Sequence, residues 1–260
     1  QDFQDLEILI SDNASTDATP ALIAEYEAMD KRVRHVRLPS TVHPINNFEN
    51  ALKHARGEMF SWLAHDDFYE NSDHVSRLAA KIAEGNAFVF PGVYMAHMQR
   101  DGSVIREERD ALAAFAGIST KWQIVRQAIR HSSIQIYGMY RTSKLREYFP
   151  LLLEDQDMIC FFENRFIQKF LVDEPWAYVP DAHLNLGQSS ENYTRNQDSR
   201  RLLHDFVVYT RRLSAMYRRS PRFSSFERLR VDAHIGRVHV PYMGRLFASA
   251  LKQKMVGKRS

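Results

Sequence analysis

The sequence predicts an α/β fold: a mostly parallel sheet flanked by helices, with a helical C-terminal extension. Three observations predict it. Short apolar runs of strand length alternate with helical stretches of ten or more residues over the first hundred positions. Clusters of Asp, Asn and Ser follow the ends of the apolar runs. From about residue 199 the strand signal ends and long helical periodicity takes over.

Residues 6–10 are an apolar run that stops at the polar cluster "SDNASTD". Residues 18–29 read as a helix, with Asp17 placed to cap it and Pro20 tolerable in its first turn. A second strand is expected over 33–38. A helix is expected over 47–55, with Phe48, Ala51, Leu52 and Ala55 on one face and Gly57 as its stop. The third strand, 59–64, precedes a helix over 73–84 whose Val75, Leu78, Ala79 and Ile82 face inward. Residues 87–99 again read as a strand. Beyond them come a helix at 120–130, short strands at 136–140 and 176–179, and an amphipathic helix at 155–170. That last helix carries Ile159, Phe162, Phe166 and Phe170 on one stripe. Two long helices follow, 199–218 and 223–254, the second interrupted by Pro241.

A chain of 260 residues is long enough for one large domain with an appendage. No stretch approaches the roughly 18 uninterrupted apolar residues of a membrane-spanning helix. No secretory signal is recognised, so a cytoplasmic setting is expected. Cys160, the single cysteine, sits in an apolar helical pattern and reads as a buried structural thiol. Charge is uneven: from residue 195 onward there are 16 Lys and Arg against 4 Asp and Glu, while the rest is net acidic. This divides the chain into 1–190 and a basic helical extension, 191–260. With Val240, Met243, Leu246, Phe247 and Leu251, the extension is expected either to cap the domain as a solvated helix or to meet an acidic surface. Peripheral contact with the inner face of a membrane is the main expectation of the second kind. Nucleic acid is not expected, because no nucleic-acid module accompanies the charge.

The stretch "GEMFSWLAHDDFYEN" ends an apolar run on His65 and two adjacent aspartates, Asp66 and Asp67. Read alone, the pair is either a solvated turn or a site for a hard divalent cation. Asp12 lies just past the first strand. In parallel sheets ligands sit beyond the carboxyl ends of the strands, so Asp12, Asp66 and Asp67 are expected on one rim. In "LLLEDQDMICFFENRF", Glu154 and Asp155 read alone as acids favoured in a first helical turn by the helix dipole. His183, in "DAHLNLGQSSENY", reads alone as structural.

From Leu6 to Asp67, through "LEILISDNASTD" and "INNFENALKHARGEMFSWLAHDD", the chain resembles the family 2 glycosyltransferases, which have the Rossmann-like GT-A fold. The resemblance covers residues 1 to about 190. It implies an inverting transfer of a sugar from a nucleotide-diphospho-sugar to an acceptor hydroxyl, in polysaccharide assembly, with a saccharide or lipid-linked acceptor. It implies that Asp66 and Asp67 hold Mn²⁺ or Mg²⁺ and the donor diphosphate, and that Asp12 contacts the nucleobase. It also implies that Asp155 is the general base and that His183 closes near the metal or the acceptor. Ala64 stands where the family often has a further aspartate, which leaves the number of direct ligands open. The family's first strand is expected to precede Gln1, making 1–190 an N-terminally truncated domain. Two other readings stand beside this one: a nucleotidyltransferase of similar fold, and a non-catalytic nucleotide-sugar-binding module. A glycoside hydrolase would need carboxylates flanking the sugar bond rather than clustered on a metal.

Overall fold

The computed structural model describes residues 1–99, 103–107, 110–130, 134–188 and 198–256. The α/β reading holds. In chain order the elements begin β1 (Ile8–Asp12), α1 (Thr19–Met29), β2 (Val33–Arg37), α2 (Pro44–His54) and β3 (Met59–Ser61). Next come β4 (Phe68–Tyr69), α3 (His74–Ala83), β5 (Phe88–Met98), β6 (Val104–Arg106), α4 (Lys121–Ala128) and β7 (Met139–Arg141). The chain continues with α5 (Thr142–Tyr148), α6 (Pro150–Glu154), α7 (Phe162–Asp173), β8 (Trp176–Gln188), α8 (Ser199–Arg219) and α9 (Ser225–Val256).

The pairing is mixed rather than mostly parallel. β1 and β2 form a parallel pair, and six further strands form one sheet in the order β3-β7-β5-β8-β4, with β6 also on β5. Within that sheet only β5 and β8 run parallel. The expected strand at 136–140 is a 3₁₀ turn, Ile134–Tyr137, that delivers the chain into β7 antiparallel to both its neighbours. Strand direction depends on such connections and leaves no mark in side-chain periodicity.

β5 is the centre of the core. Phe88, Val89 and Phe90 have no exposed surface, which is why this strand reads as a continuous apolar run. Phe88 stacks on Tyr140 of β7 at 4.6 Å between ring centroids, and Phe166 and Phe170 of α7 pack against the same ring. α4 starts where expected, because Thr120 and Gln123 form a reciprocal capping box.

The expected boundary at 190/191 lies outside the described residues. The two stretches it separates share a core. Val125 and Ile129, from α4 and its end, pack with Met158 against Phe206, Tyr209 and Leu213 of α8 and Val231 and Ile235 of α9. A buried polar chain fastens α7 to α8: Gln168 donates to the Tyr209 hydroxyl at 2.7 Å and accepts from that of Tyr217 at 2.9 Å. α9 runs through Pro241 without a break. Among the described residues no helix is long and apolar enough to cross a membrane. Cys160 is buried, and burial pushes its thiol up to about 11, as an inert structural cysteine requires.

Candidate functional site

After β3 the chain drops Trp62 into the core, stacked on Phe48 at 5.2 Å. The backbone then turns, with Asp67 N donating to the Ala64 carbonyl at 3.1 Å. β4 follows at once and pairs antiparallel with β8, Phe68 opposite Asn185 and Tyr69 opposite Leu184. Extending that register brings Gly187 against Asp66. The approach is so close that a Cβ on Gly187 would overlap the Asp66 carbonyl oxygen. Gly187 N donates to Asp67 Oδ1 at 2.9 Å. Asp66 is exposed and Asp67 half-buried. Burial pushes the Asp67 carboxyl up to about 6, and the neighbouring Asp66 charge adds to this against the pull of the Gly187 N–H.

A divalent cation fits this turn. It would relieve the charge that raises Asp67, and two carboxylates are what Mg²⁺ or Mn²⁺ commonly takes from a protein, the remainder of its shell coming from phosphate and water. Among the described residues no group of three or more His, Cys, Asp or Glu is arranged to hold a metal by itself.

Asp12 ends β1 and is buried. Its Oδ1 accepts from Ser15 N at 2.8 Å, and its Oδ2 lies 3.3 Å from Arg37 Nε. Burial alone would raise its carboxyl, but the Ser15 bonds and Arg37 hold it below the usual carboxylate range. No hydrogen bond or ion pair among the described residues joins it to the Asp66–Asp67 turn.

Asp155 is not where the sequence reading put it. It ends α6 rather than beginning a helix, and the next helix starts only at Phe162. Its carboxylate has no exposed surface. Arg165 clasps it, with Nε 2.8 Å from Oδ2 and Nη2 3.1 Å from Oδ1, and Arg212 of α8 reaches Oδ1 at 2.9 Å. Held by two guanidiniums and sealed from solvent, the carboxylate has the surroundings of a structural anchor in this arrangement. Asp157 is exposed and also paired with Arg212. Of the expected 155–170 helix, residues 155–161 form a turn and only the part from Phe162 onward is helical. Asp205 fixes that turn by accepting from Ile159 N and Cys160 N at 2.8 and 3.2 Å.

His183 is also displaced from the metal turn. At a bulge β8 carries three extra residues between Val179, opposite Pro91, and His183, opposite Gly92. His183 therefore faces Glu70, at 3.2 Å from Nδ1, and the Tyr94 ring at 5.0 Å. It lies four positions from Gly187, roughly 13 Å along an extended strand.

Two residues the sequence reading passed over are linked electrostatically to the carboxylate pair, Tyr137 directly and Glu163 through Tyr137. Tyr137, at the end of the 3₁₀ turn, has its hydroxyl pushed well above the ordinary tyrosine range by burial and by the charges of Asp67, Glu163 and Asp66. It thus neighbours both Asp66–Asp67 and Glu163. Glu163, in the first turn of α7, has a buried Oε2 with no hydrogen-bond partner among the described residues. The turn before it is unusual: Phe161 is left-handed at φ 68°, a conformation costing about 1–2 kcal/mol for a non-glycine residue. Packing of its ring on Phe206 (5.2 Å) and Tyr209 (5.9 Å) holds it there. The overlooked signal was an acid, Glu163, in the first turn of a helix directly before the buried run 165–168.

The model of the family described as Glycosyl transferase family 2 matches residues 1–149. The GalNAc(5)-diNAcBac-PP-undecaprenol beta-1,3-glucosyltransferase of Campylobacter jejuni is 32% identical over 108 residues, 41% of this chain and 34% of that protein. The chain thus spans about a third of the length of that curated relative. Among solved structures, TarS 1-349 of S. aureus superposes with a TM-score of 0.65 at 17% identity, covering 90% of this chain and 63% of that one. A second TarS structure contains UDP-GlcNAc. Mannosyltransferase PcManGT of Pyrobaculum calidifontis, in complex with GDP-Man and Mn²⁺, gives 0.57 at 16% identity, covering 98% of this chain and 68% of that one. At these identities the structural likeness speaks for the fold.

If Asp155 is a structural anchor, Asp155→Asn should lower the unfolding free energy by about 3–5 kcal/mol, the scale for breaking a buried ion pair. Urea denaturation measures it. An unchanged unfolding midpoint together with lost turnover would return the catalytic role to Asp155.

Proposed function

This chain belongs to glycosyl transferase family 2, and on that footing we propose that it transfers a sugar, with inversion, from a nucleoside-diphosphate donor to an acceptor hydroxyl. The observation that carries the reading is the Asp66–Asp67 turn beyond β3, locked against Gly187 so that Asp67 is half-buried and its proton affinity raised. Asp66 and Asp67 would hold Mn²⁺ or Mg²⁺ together with the donor diphosphate. The cation supplies charge neutralisation for the departing diphosphate. Asp12, whose Oδ2 lies 3.3 Å from Arg37 Nε and has no hydrogen-bond partner among the described residues, would be the group offered to the nucleobase.

The chain's own residues set the remaining requirements. Gly187 and the β4–β8 pairing fix the carboxylate pair, so the diphosphate is held at one end of the reacting sugar. Inversion then requires the acceptor oxygen to attack from the opposite side, with its proton leaving to a base on that side. UDP- and GDP-sugars are the first donors to try, since the structural neighbours were solved with UDP-GlcNAc and GDP-Man. The Campylobacter relative is named for an undecaprenol-linked acceptor, which supports a saccharide or lipid-linked acceptor here.

A lipid-linked acceptor would bring the protein to the cytoplasmic face of a membrane. On α9, Phe226, Leu229, Val240 and Phe247 are exposed alongside Arg230, Arg237 and Arg245. Apolar side chains flanked by arginines suit a surface of anionic lipid.

Calorimetric titration with UDP and with GDP tests the metal-dependent donor site. Affinity with Mn²⁺ should exceed that with excess chelator by about 100-fold, or about 2.7 kcal/mol, and Asp66→Ala should remove the difference. Equal affinities in the two conditions would exclude the cation from this site. For the surface, co-sedimentation at low salt should be stronger with vesicles containing phosphatidylglycerol than with neutral ones. Identical sedimentation with both would leave α9 as a solvated cap.

A further inference from the structure

The hairpin of α8 and α9 carries an opening for which sugar transfer has no use. A groove of about 630 Å³ runs between the two helices, with Arg211, Ser214, Arg218 and Arg219 of α8 on one wall and Asp232 and Gly236 of α9 on the other. Three arginines against one carboxylate leave its lining net positive among the described residues. All three arginines are exposed, and Arg211 and Arg219 make no hydrogen bond or ion pair among the described residues. Asp232 acts as a brace. Its Oδ1 accepts from Ser214 Oγ at 2.5 Å and its Oδ2 from Arg218 Nε at 2.6 Å. Arg218 is thereby fixed by one edge of its guanidinium, and its Nη groups stay unpaired among the described residues. A planar fork held in this way matches the oxygens of a phosphate.

Gly236 shapes the other wall. It sits inside α9, where glycine is a poor helix former, yet a Cβ there would meet no atom within 4 Å. Packing therefore does not require the glycine, and alanine would favour the helix. What the missing side chain does is keep the groove open. Gly236 also joins the groove to the apolar face of α9. It lies one turn from Val240 and two turns from Leu229, on the same flank of the helix. Both are exposed, and with Phe226 and Phe247 they form a stripe roughly 30 Å long at 1.5 Å per helical residue. An arginine-lined groove thus opens beside an apolar stripe.

We infer that this groove holds the phosphate of an anionic lipid headgroup while the stripe beside it rests among the acyl chains. The inference deepens the lipid-facing reading of α9 given above and rests on it. Charge complementarity and the neighbouring stripe together select the occupant. A phosphodiester keeps its charge at neutral pH, and Arg211, Arg218 and Arg219 approach it from one helix. A soluble phosphate would satisfy the arginines and leave Leu229, Val240 and Phe247 in water. A second copy of this chain would cover the stripe and add its own arginines to those already there. A lipid supplies the anion and the apolar cover in one molecule.

The test is co-sedimentation of the whole chain, at low salt, with phosphatidylcholine vesicles that contain or lack phosphatidylglycerol. Gly236→Leu closes the groove, keeps every charge and adds apolar surface beside the stripe. If apolar contact and overall charge alone held the protein to the vesicle, this variant would bind at least as tightly as wild type. The groove predicts the opposite sign: weaker binding to phosphatidylglycerol vesicles, with an unfolding midpoint no lower than wild type because leucine is the better helix former. The double variant Arg211→Gln/Arg219→Gln should weaken that binding by roughly 30-fold, the scale for two cations at an anionic surface. Inorganic phosphate in large excess, with ionic strength matched by chloride, should not release the wild type. Release by phosphate would give the groove to a soluble ligand and overturn the lipid assignment. A wild type that prefers phosphatidylglycerol, with Gly236→Leu or the arginine variant binding as tightly, would overturn the groove and leave the lipid-facing reading standing. A wild type that sediments equally with both kinds of vesicle would overturn the lipid-facing reading and the groove with it.

Discussion

Asp155, sealed between Arg165 of α7 and Arg212 of α8, is the constraint on which the candidate site depends. Its two oxygens receive three hydrogen bonds, so the end of α6, the first half of α7 and the middle of α8 cannot move independently. Arg212 also holds Asp157, and Arg201 donates to the Asp157 carbonyl at 2.5 Å. The short loop between α6 and α7 is therefore pinned along its length from α8. That pinning is what lets Phe161 persist in a left-handed conformation, and Phe161 sets where Glu163 begins its helix. The basic segment thus does two jobs. One side of its helical hairpin positions the loop, and the opposite face of α9 is left exposed.

The opposing wall is fixed by different physics. There the determinant is backbone proximity: β4 pairs with β8, and only a residue without a Cβ can sit where Gly187 meets Asp66. The result is a half-buried Asp67 beside an exposed Asp66, a pair whose mutual repulsion a cation would relieve. One wall is thus an acid left without charge compensation, and the other is two acids awaiting it. The charges of both bear on the Tyr137 hydroxyl. Their cost is offset by the apolar burial of the core around β5 and the aromatic packing of α7.

Much of this was legible in the sequence, for reasons that can be traced. The alternation of apolar runs with helical stretches revealed the α/β class, because periods of 2 and 3.6 follow directly from burying one face of each element. Asp66 and Asp67 drew attention as two adjacent carboxylates ending an apolar run, and the structure sets them in a turn against Gly187. Asp155 was misread because Ile159, Phe162, Phe166 and Phe170 keep a helical spacing straight across a turn. The break is a left-handed phenylalanine, and nothing local announces it; α8, forty residues further on, enforces it. His183 was misread because β8 looks like a four-residue strand followed by a loop. It is in fact a thirteen-residue strand with a bulge, and the bulge shifts the register that decides which residue meets the aspartates.

The most direct test of the account is anomalous diffraction at the manganese edge from crystals of the protein grown with Mn²⁺ and UDP. The account predicts a single strong peak bound by the carboxylates of Asp66 and Asp67 and by the diphosphate, with Glu163 free of the metal. A peak ligated by Glu163, or one at the Glu70–His183 pair with the Asp66–Asp67 turn empty, would contradict it.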